Sequence, residues 1–281
     1  MPVSRALDAE TIAALAQAAC LIEASSPKPG NVTPEHAFSD TTYEDFLLSA
    51  AAIGPAFLGA TQRGVGATIL RAVGDTRRLV RSNTNLGIVL LLAPLARAAG
   101  EGEGALQARV QGVLDSLTLA DARDVFAAIR LASPGGLGSA DAEDVRDEPT
   151  LTLREAMALA AQRDSIAREY ADGYGLTFGV VVPALVEARR SGLSWSSAAL
   201  DAYLQTLAAV PDTLIARKEG WSTAESVSAA ARRVLEAGAA RPAAIAAFDV
   251  ELRAHGNRRN PGTTADLVAA GLFVALVEET A

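Results

Sequence analysis

The 281-residue chain holds only two lysines, Lys28 and Lys218, and both fall in polar junctions between helical stretches. Lys28 follows Glu23 in the run EASSPKPGNV, where two prolines and a glycine end a helix within a turn. An ammonium held between prolines loses less entropy on meeting a phosphate than one on a mobile tail, and a solvated lysine past a helix end explains the same residues. Lys218 closes the insert PDTLIARKEG, with Arg217 beside it and Asp212 six residues earlier. That insert reads either as an anion contact or as a charged helix end stopping at Gly220.

Three further junctions carry polar groups at the mouths of helices. Asn83, Thr84 and Asn85 precede the apolar run LGIVLLL, where free amides either bind an anion or are simply capped. In RDSIAREY, read as part of one helix over 152–172, Asp164 and Arg168 lie one turn apart, and Arg163 and Tyr170 share a nearby face. Such a pair is either a surface ion pair or, in a closed bundle, a carboxylate and guanidinium turned inward. In RRNPGTTADL, Arg258, Arg259 and Asp266 meet a helix start, which suits Mg-phosphate binding or a capping box. His36 and His255 have no metal-motif spacing, so both read as polar residues of the surface or core edge.

The elements that must position these groups are helices. A Ser or Thr followed three residues later by an acid occurs at Thr42/Asp45, Thr118/Asp121, Thr152/Glu155, Ser222/Glu225 and Thr263/Asp266, the arrangement that satisfies orphan amides at a helix start. Ile12, Leu15, Ala19 and Ile22 repeat on one face of a first helix over about 8–24. Others are predicted near 42–60, 64–80, 84–99, 104–116, 118–131, 152–172, 176–191, 196–209, 222–238, 243–255 and 263–279. Sixty alanines, 50% hydrophobic residues and 5% aromatics favour close-packed helices and exclude a disordered chain or a disulfide scaffold. The expectation is one all-α domain over 1–281, compact and built of ten to twelve helices, with a loop or lid at 133–150.

A net charge of -8 argues against a broad basic face for nucleic acid or anionic membrane. The longest strongly apolar stretch, Leu86 to Ala96, is well short of the roughly 20 residues a bilayer span needs. One cysteine, Cys20, allows no intrachain disulfide, so a cytoplasmic location is expected. The alanine-rich surface suits pairing with a second copy as a homodimer.

Taken together, SPKPGN at 26–31, FLLSAAAIGPAF at 46–57, NTNLG at 83–87, RDSIAREY at 163–170, PDTLIARK at 211–218 and NPGTTADL at 260–267 resemble the triphosphoribosyl-dephospho-coenzyme A synthase family over nearly the full chain. The resemblance implies a helical transferase that converts ATP and 3'-dephospho-coenzyme A to triphosphoribosyl-dephospho-coenzyme A and adenine. It implicates Glu23 and Lys28 in the nucleotide site, with Asn83, Thr84, Asn85, Asp212, Arg217 and Asp266. Asn31-Val32 after Gly30, and NPGTTADL in place of SPGGSADL, depart from the better-known members and resemble a divergent branch met in archaea and methylotroph-like bacteria.

The implied chemistry is displacement at the anomeric carbon of ATP, with the triphosphate retained. It calls for phosphate-binding cations, for which Lys28, Arg163, Arg217, Lys218 and Arg259 are the candidates, and for Mg2+ held by Asp212 or Asp266. Glu23 or Asp164 would serve as base, with Asp212 also in the catalytic set. Two other functions stay open on the residues: ATP-using pentosyl or nucleotidyl transfer to another acceptor in one-carbon carrier biosynthesis, and a non-catalytic helical nucleotide-binding or scaffold protein.

Overall fold

A computed structural model describes residues 6–102, 104–133, 143–254 and 256–280. The expected lid at 133–150 is thus described at 133 and 143–150 alone, its remainder and His255 lying outside the described residues. The α-helices run in the order α1 (Ala9–Ser25), α2 (Tyr43–Ala52), α3 (Gly54–Phe57), α4 (Val65–Leu79), α5 (Leu86–Ala99), α6 (Leu106–Asp115), α7 (Leu119–Ala132) and α8 (Leu153–Ala160). They continue with α9 (Ser165–Asp172), α10 (Val182–Arg190), α11 (Trp195–Ala209), α12 (Thr213–Glu219), α13 (Trp221–Glu236), α14 (Arg241–Arg253) and α15 (Gly262–Thr280). No strand occurs among the described residues, so the all-α expectation holds.

The bundle is organised on α5 and α15, which are apolar nearly all round and therefore buried. They pack on each other, and α1 packs on α15. Pro94 inside α5 has no N–H to give the Leu90 carbonyl. The fold supplies one from elsewhere: Tyr170 Oη donates to Leu90 O at 2.6 Å, and Tyr174 Oη to Leu91 O at 2.7 Å. Both tyrosines are fully buried. Tyr170→Phe should leave the Leu90 carbonyl unpaired and cost about 1–3 kcal/mol, read as a lowered urea midpoint with an unchanged slope. A midpoint equal to the parent's would mean that the hydroxyl does not replace the missing amide.

Helices α4 and α7 run side by side in the same direction. The amide of Gly66 donates to Asp121 Oδ1 at 2.9 Å near their starts, and Gly74 faces Leu131 near their ends. This brings the C-terminal turn of α4, with its arginines, next to the end of α7.

Several boundaries differ from the sequence expectation. The capping boxes at Thr42, Thr118 and Thr152 are present. The one expected at Ser222 is not, because α13 starts from Gly220 with no side-chain cap. The stretch 42–60 breaks at Ile53 ahead of Pro55, and 176–191 opens with a π-helical turn, Thr177–Val181. That turn is held by Glu169, whose carboxylate accepts from the amides of Leu176 and Thr177 at 2.9 and 3.0 Å, and whose pKa burial raises to about 7. The stretch 152–172 is two helices, since Asp164 has extended backbone and caps α9. A helix not expected, α12, forms within the PDTLIARKEG insert because Asp212 caps it. These breaks account for more helices than the ten to twelve expected.

Candidate functional site

One cavity of about 1230 Å³ opens between the end of α1, the start of α5, the facing sides of α7 and α8, and the starts of α9 and α15. Six acidic residues line it, Glu23, Asp40, Glu143, Asp144, Asp164 and Asp266, and of these Glu23, Asp164 and Asp266 stand at helix ends brought together from distant parts of the chain.

Glu23 sits in the last turn of α1 and is 3% exposed. Burial at that level needs a partner, and Lys28 provides it, with Nζ 2.9 Å from Glu23 Oε1. The remaining donors of Lys28 go to the carbonyls of Glu23 and Ser26, so the ammonium is satisfied inside the protein. The turn that places it is clamped from several helices. Tyr203 Oη of α11 donates to Pro29 O at 2.6 Å, Asp249 of α14 accepts from the Gly30 amide at 2.7 Å, and Arg253 of α14 donates to Asn31 O at 2.6 Å. Gly30 has φ +75°, and a Cβ there would lie 2.9 Å from Leu252, so glycine is required on both counts.

Asp266 projects from the first turns of α15 onto the start of α5, against Gly87. A Cβ on Gly87 would lie 2.1 Å from Asp266 Oδ2 and 2.8 Å from Ile166 Cδ1, so only glycine leaves room for the carboxylate. Among the described residues no hydrogen-bond donor reaches that carboxylate. Burial raises its pKa well above the ordinary value, and the charges of Glu23, Asp212 and Asp164 push the same way, offset in part by Arg217. The α5 start that receives it is built by side chains. Asn83 Oδ1 accepts from the Leu86 amide at 3.2 Å, Asn85 Nδ2 donates to Thr76 at 3.0 Å, and Thr84 shares a 2.5 Å hydrogen bond with Ser49.

Asp164 caps α9 through Oδ1 and meets Arg217 of α12 through Oδ2, at 2.7 Å. Its oxygens are therefore committed, and it fixes the guanidinium at the cavity wall. Lys218, the next residue, also lines the cavity. Partial burial lowers its pKa, opposed by Asp212 and assisted by Arg217. Arg163, Arg77, Arg81 and Arg258 complete a cationic rim, and among the described residues Arg258 alone of these is ion-paired, to Glu219.

Of the residues singled out from sequence, Glu23, Asn83, Thr84, Asn85, Arg163, Asp164, Arg217, Lys218 and Asp266 line this one cavity. Lys28, Asp212 and Arg259 do not. Lys28 lies behind Glu23, as described. Asp212 is a buried clamp: Oδ1 caps the amides of Leu214 and Ile215, and Oδ2 accepts from the amide and hydroxyl of Thr264 at 2.7 and 2.8 Å. With four donors on two oxygens it has no lone pair turned to the cavity, and its role is to dock α12 on the start of α15. The cap expected from Asp266 at Thr263 is thus replaced by one from Asp212. Arg259 does not line the cavity, its Nε buried with no hydrogen-bond partner among the described residues, and its neighbour Arg258 faces the cavity instead. Arg168 pairs with Asp172 at 3.2 Å rather than with Asp164, because the helix break puts Asp164 at the cap.

Sequence reasoning missed Arg77 and Arg81, and named Arg258 only as part of the RRNPGTTADL junction. Arg77 lies in the last turn of α4, where basic residues ordinarily answer the helix dipole, and Arg81 two residues past its end, so nothing local marks them. No group of three or more His, Cys, Asp or Glu suited to a metal ion occurs among the described residues. Nor is any helix there long and apolar enough to cross a membrane.

Comparison with known proteins supplies the identity that geometry leaves open. Residues 9–281 match the family model described as ATP:dephospho-CoA triphosphoribosyl transferase. A protein of Stutzerimonas stutzeri named probable 2-(5''-triphosphoribosyl)-3'-dephosphocoenzyme-A synthase is 29% identical, over 95% of this chain and 91% of its own. One of the same name from Pseudomonas syringae is 30% identical, over 95% of this chain and 91% of its own. A crystal structure from Archaeoglobus fulgidus, titled as a putative triphosphoribosyl-dephospho-CoA synthase, superposes with a TM-score of 0.67 at 29% identity, covering 83% of this chain and 98% of that one.

Proposed function

The chain belongs to the ATP:dephospho-CoA triphosphoribosyl transferase family, and from that membership we propose that its cavity joins the anomeric carbon of ATP to a hydroxyl of 3'-dephospho-CoA, releasing adenine. The new bond runs from the acceptor oxygen to the ribose carbon as the bond from that carbon to the adenine nitrogen breaks. The hydroxyl proton passes to a base, and adenine leaves with a proton taken from solvent or protein. The observation that supports this assignment is a pair of carboxylates, Glu23 and Asp266, with oxygens left open toward a cavity ringed by six cationic side chains.

Glu23 is the base. One of its oxygens is held by Lys28, which fixes the direction of the other. Asp164 has no such oxygen and acts by holding Arg217. Arg217 and Lys218, partly buried in the wall, bind the triphosphate of ATP together with Arg258 and Arg163 at the exposed rim. Asp266 places negative charge where the ribose develops positive charge.

A magnesium ion carried by ATP needs only one or two protein carboxylates. Asp266, with no donor on it among the described residues, fits that requirement, whereas the saturated Asp212 does not. Such an ion would neutralise the charge of the triphosphate.

The test is incubation with ATP, Mg2+ and dephospho-CoA, followed by chromatography for adenine and mass spectrometry of the acceptor. Adenine and an acceptor heavier by the triphosphoribosyl unit, in equal amounts, are expected. ATP binding with no adenine from any acceptor would leave a nucleotide-binding scaffold, and adenine formed only with a different acceptor would redirect the substrate assignment.

A further inference from the structure

The cavity is larger than the reacting groups require. Single drug-sized ligands occupy pockets of roughly 300–1,000 Å³, and this one is about 1230 Å³. Its two ends also differ in chemistry. Glu23, Asp164, Asp266 and the Arg217 cluster lie toward the start of α9 and the end of α12, while the far part is a groove between α7 and α8, bordered by Glu143, held to Thr150, and Asp144, paired with Arg146.

That groove has a helical origin. Phe126 and Ile129 lie three apart on α7, and Leu153, Ala156, Met157 and Ala160 follow the i, i+3, i+4, i+7 spacing on α8. The two apolar stripes face each other across the cavity without closing it. Ile129, Met157 and Ala160 keep partial exposure there. Arg77 and Arg81 line the same cavity, placed by the parallel packing of α4 on α7 next to the end of α7. Neither guanidinium has a carboxylate partner among the described residues.

An apolar groove with the Arg77 and Arg81 guanidiniums at one end, neither in a salt bridge among the described residues although Arg77 donates to the Arg81 carbonyl, calls for a ligand with a diphosphate and an extended arm of low charge. Dephospho-CoA has this pattern: an adenosine, a diphosphate, then the pantetheine arm. ATP has no arm to fill a groove. On the family reading above, we infer that the α7–α8 groove holds the pantetheine arm of the acceptor, with Arg77 and Arg81 on its diphosphate. The acceptor hydroxyl then approaches Glu23 from the α7–α8 side while ATP occupies the Arg217 side, so the two polyanions are held by separate sets of cations.

The experiment measures steady-state adenine release by the full chain for Met157→Glu and Ala160→Phe, two partly exposed positions that tolerate change better than the buried Leu153. Each variant should raise the KM for dephospho-CoA by about tenfold or more while the KM for ATP and kcat at saturation stay within about threefold. Arg81→Ala should shift the KM for dephospho-CoA in the same direction. With ADP as an acceptor that has the diphosphate but no arm, Met157→Glu and Ala160→Phe should match the parent. A dephospho-CoA KM that does not move in either groove variant, or an equal loss with ADP, overturns the inference while leaving the family reading intact. No adenine from the parent protein with dephospho-CoA overturns both.

Discussion

Replacing Asp266 with Asn is expected to lower kcat for adenine release by about 10²-fold or more while leaving the fold at least as stable as the parent. The two halves of that outcome have one cause. The carboxylate is recessed beside Glu23, Asp212 and Asp164, accepts no hydrogen bond among the described residues, and has Arg217 as its opposing charge. A carboxylate in that position works against the folded state, so an isosteric amide relieves repulsion. A group retained against stability is retained for what it does to substrate. Urea unfolding and adenine kinetics on the same preparation provide the check. A variant that loses stability in proportion to activity would reduce Asp266 to a packing residue. Gly87→Ala gives a second route to the same carboxylate, because its methyl would fall 2.1 Å from Oδ2 and force it off the start of α5. Its activity should fall with the amide variant's, at a packing cost of about 1–3 kcal/mol.

Lys28→Met carries the largest expected loss of stability, about 3–5 kcal/mol, since it leaves the Glu23 carboxylate buried beside a methyl group. The double variant Lys28→Met with Glu23→Gln should recover much of that loss, because no uncompensated charge remains. A lysine that bound phosphate would give the opposite pattern: near-normal unfolding, a raised KM for ATP, and no rescue by a change at position 23. The geometry predicts the first pattern, with Nζ 2.9 Å from Glu23 and 1% of the side chain exposed. Unfolding midpoints of the two single variants and the double variant decide between them.

The sequence made most of the helices legible because their causes are local. Apolar residues three and four apart place α1, and the boxes at Thr42, Thr118 and Thr152 place the starts of α2, α7 and α8 within single turns of chain. The breaks at Ile53 and Asp164 were less visible. Asp164 caps α9 within its own turn, but it is fixed there by Arg217, 53 residues away. The junction motifs were legible as a set, and the family blocks that contain them gather around one cavity.

What the amino-acid sequence determined by itself was therefore the helical class, the junctions that hold the polar chemistry, and the family to which their order belongs. The tertiary structure alone decided which member of each polar group faces the cavity: Glu23 and not Lys28, Asp266 and not Asp212, Arg258 and not Arg259. Residue type and spacing set what a side chain can bond, and the direction it takes depends on donors far along the chain. Asp212 is turned inward by the amide and hydroxyl of Thr264, 52 residues later, and Lys28 by a carboxylate that must be paired once α15 covers α1. Those partners meet only when the helices pack.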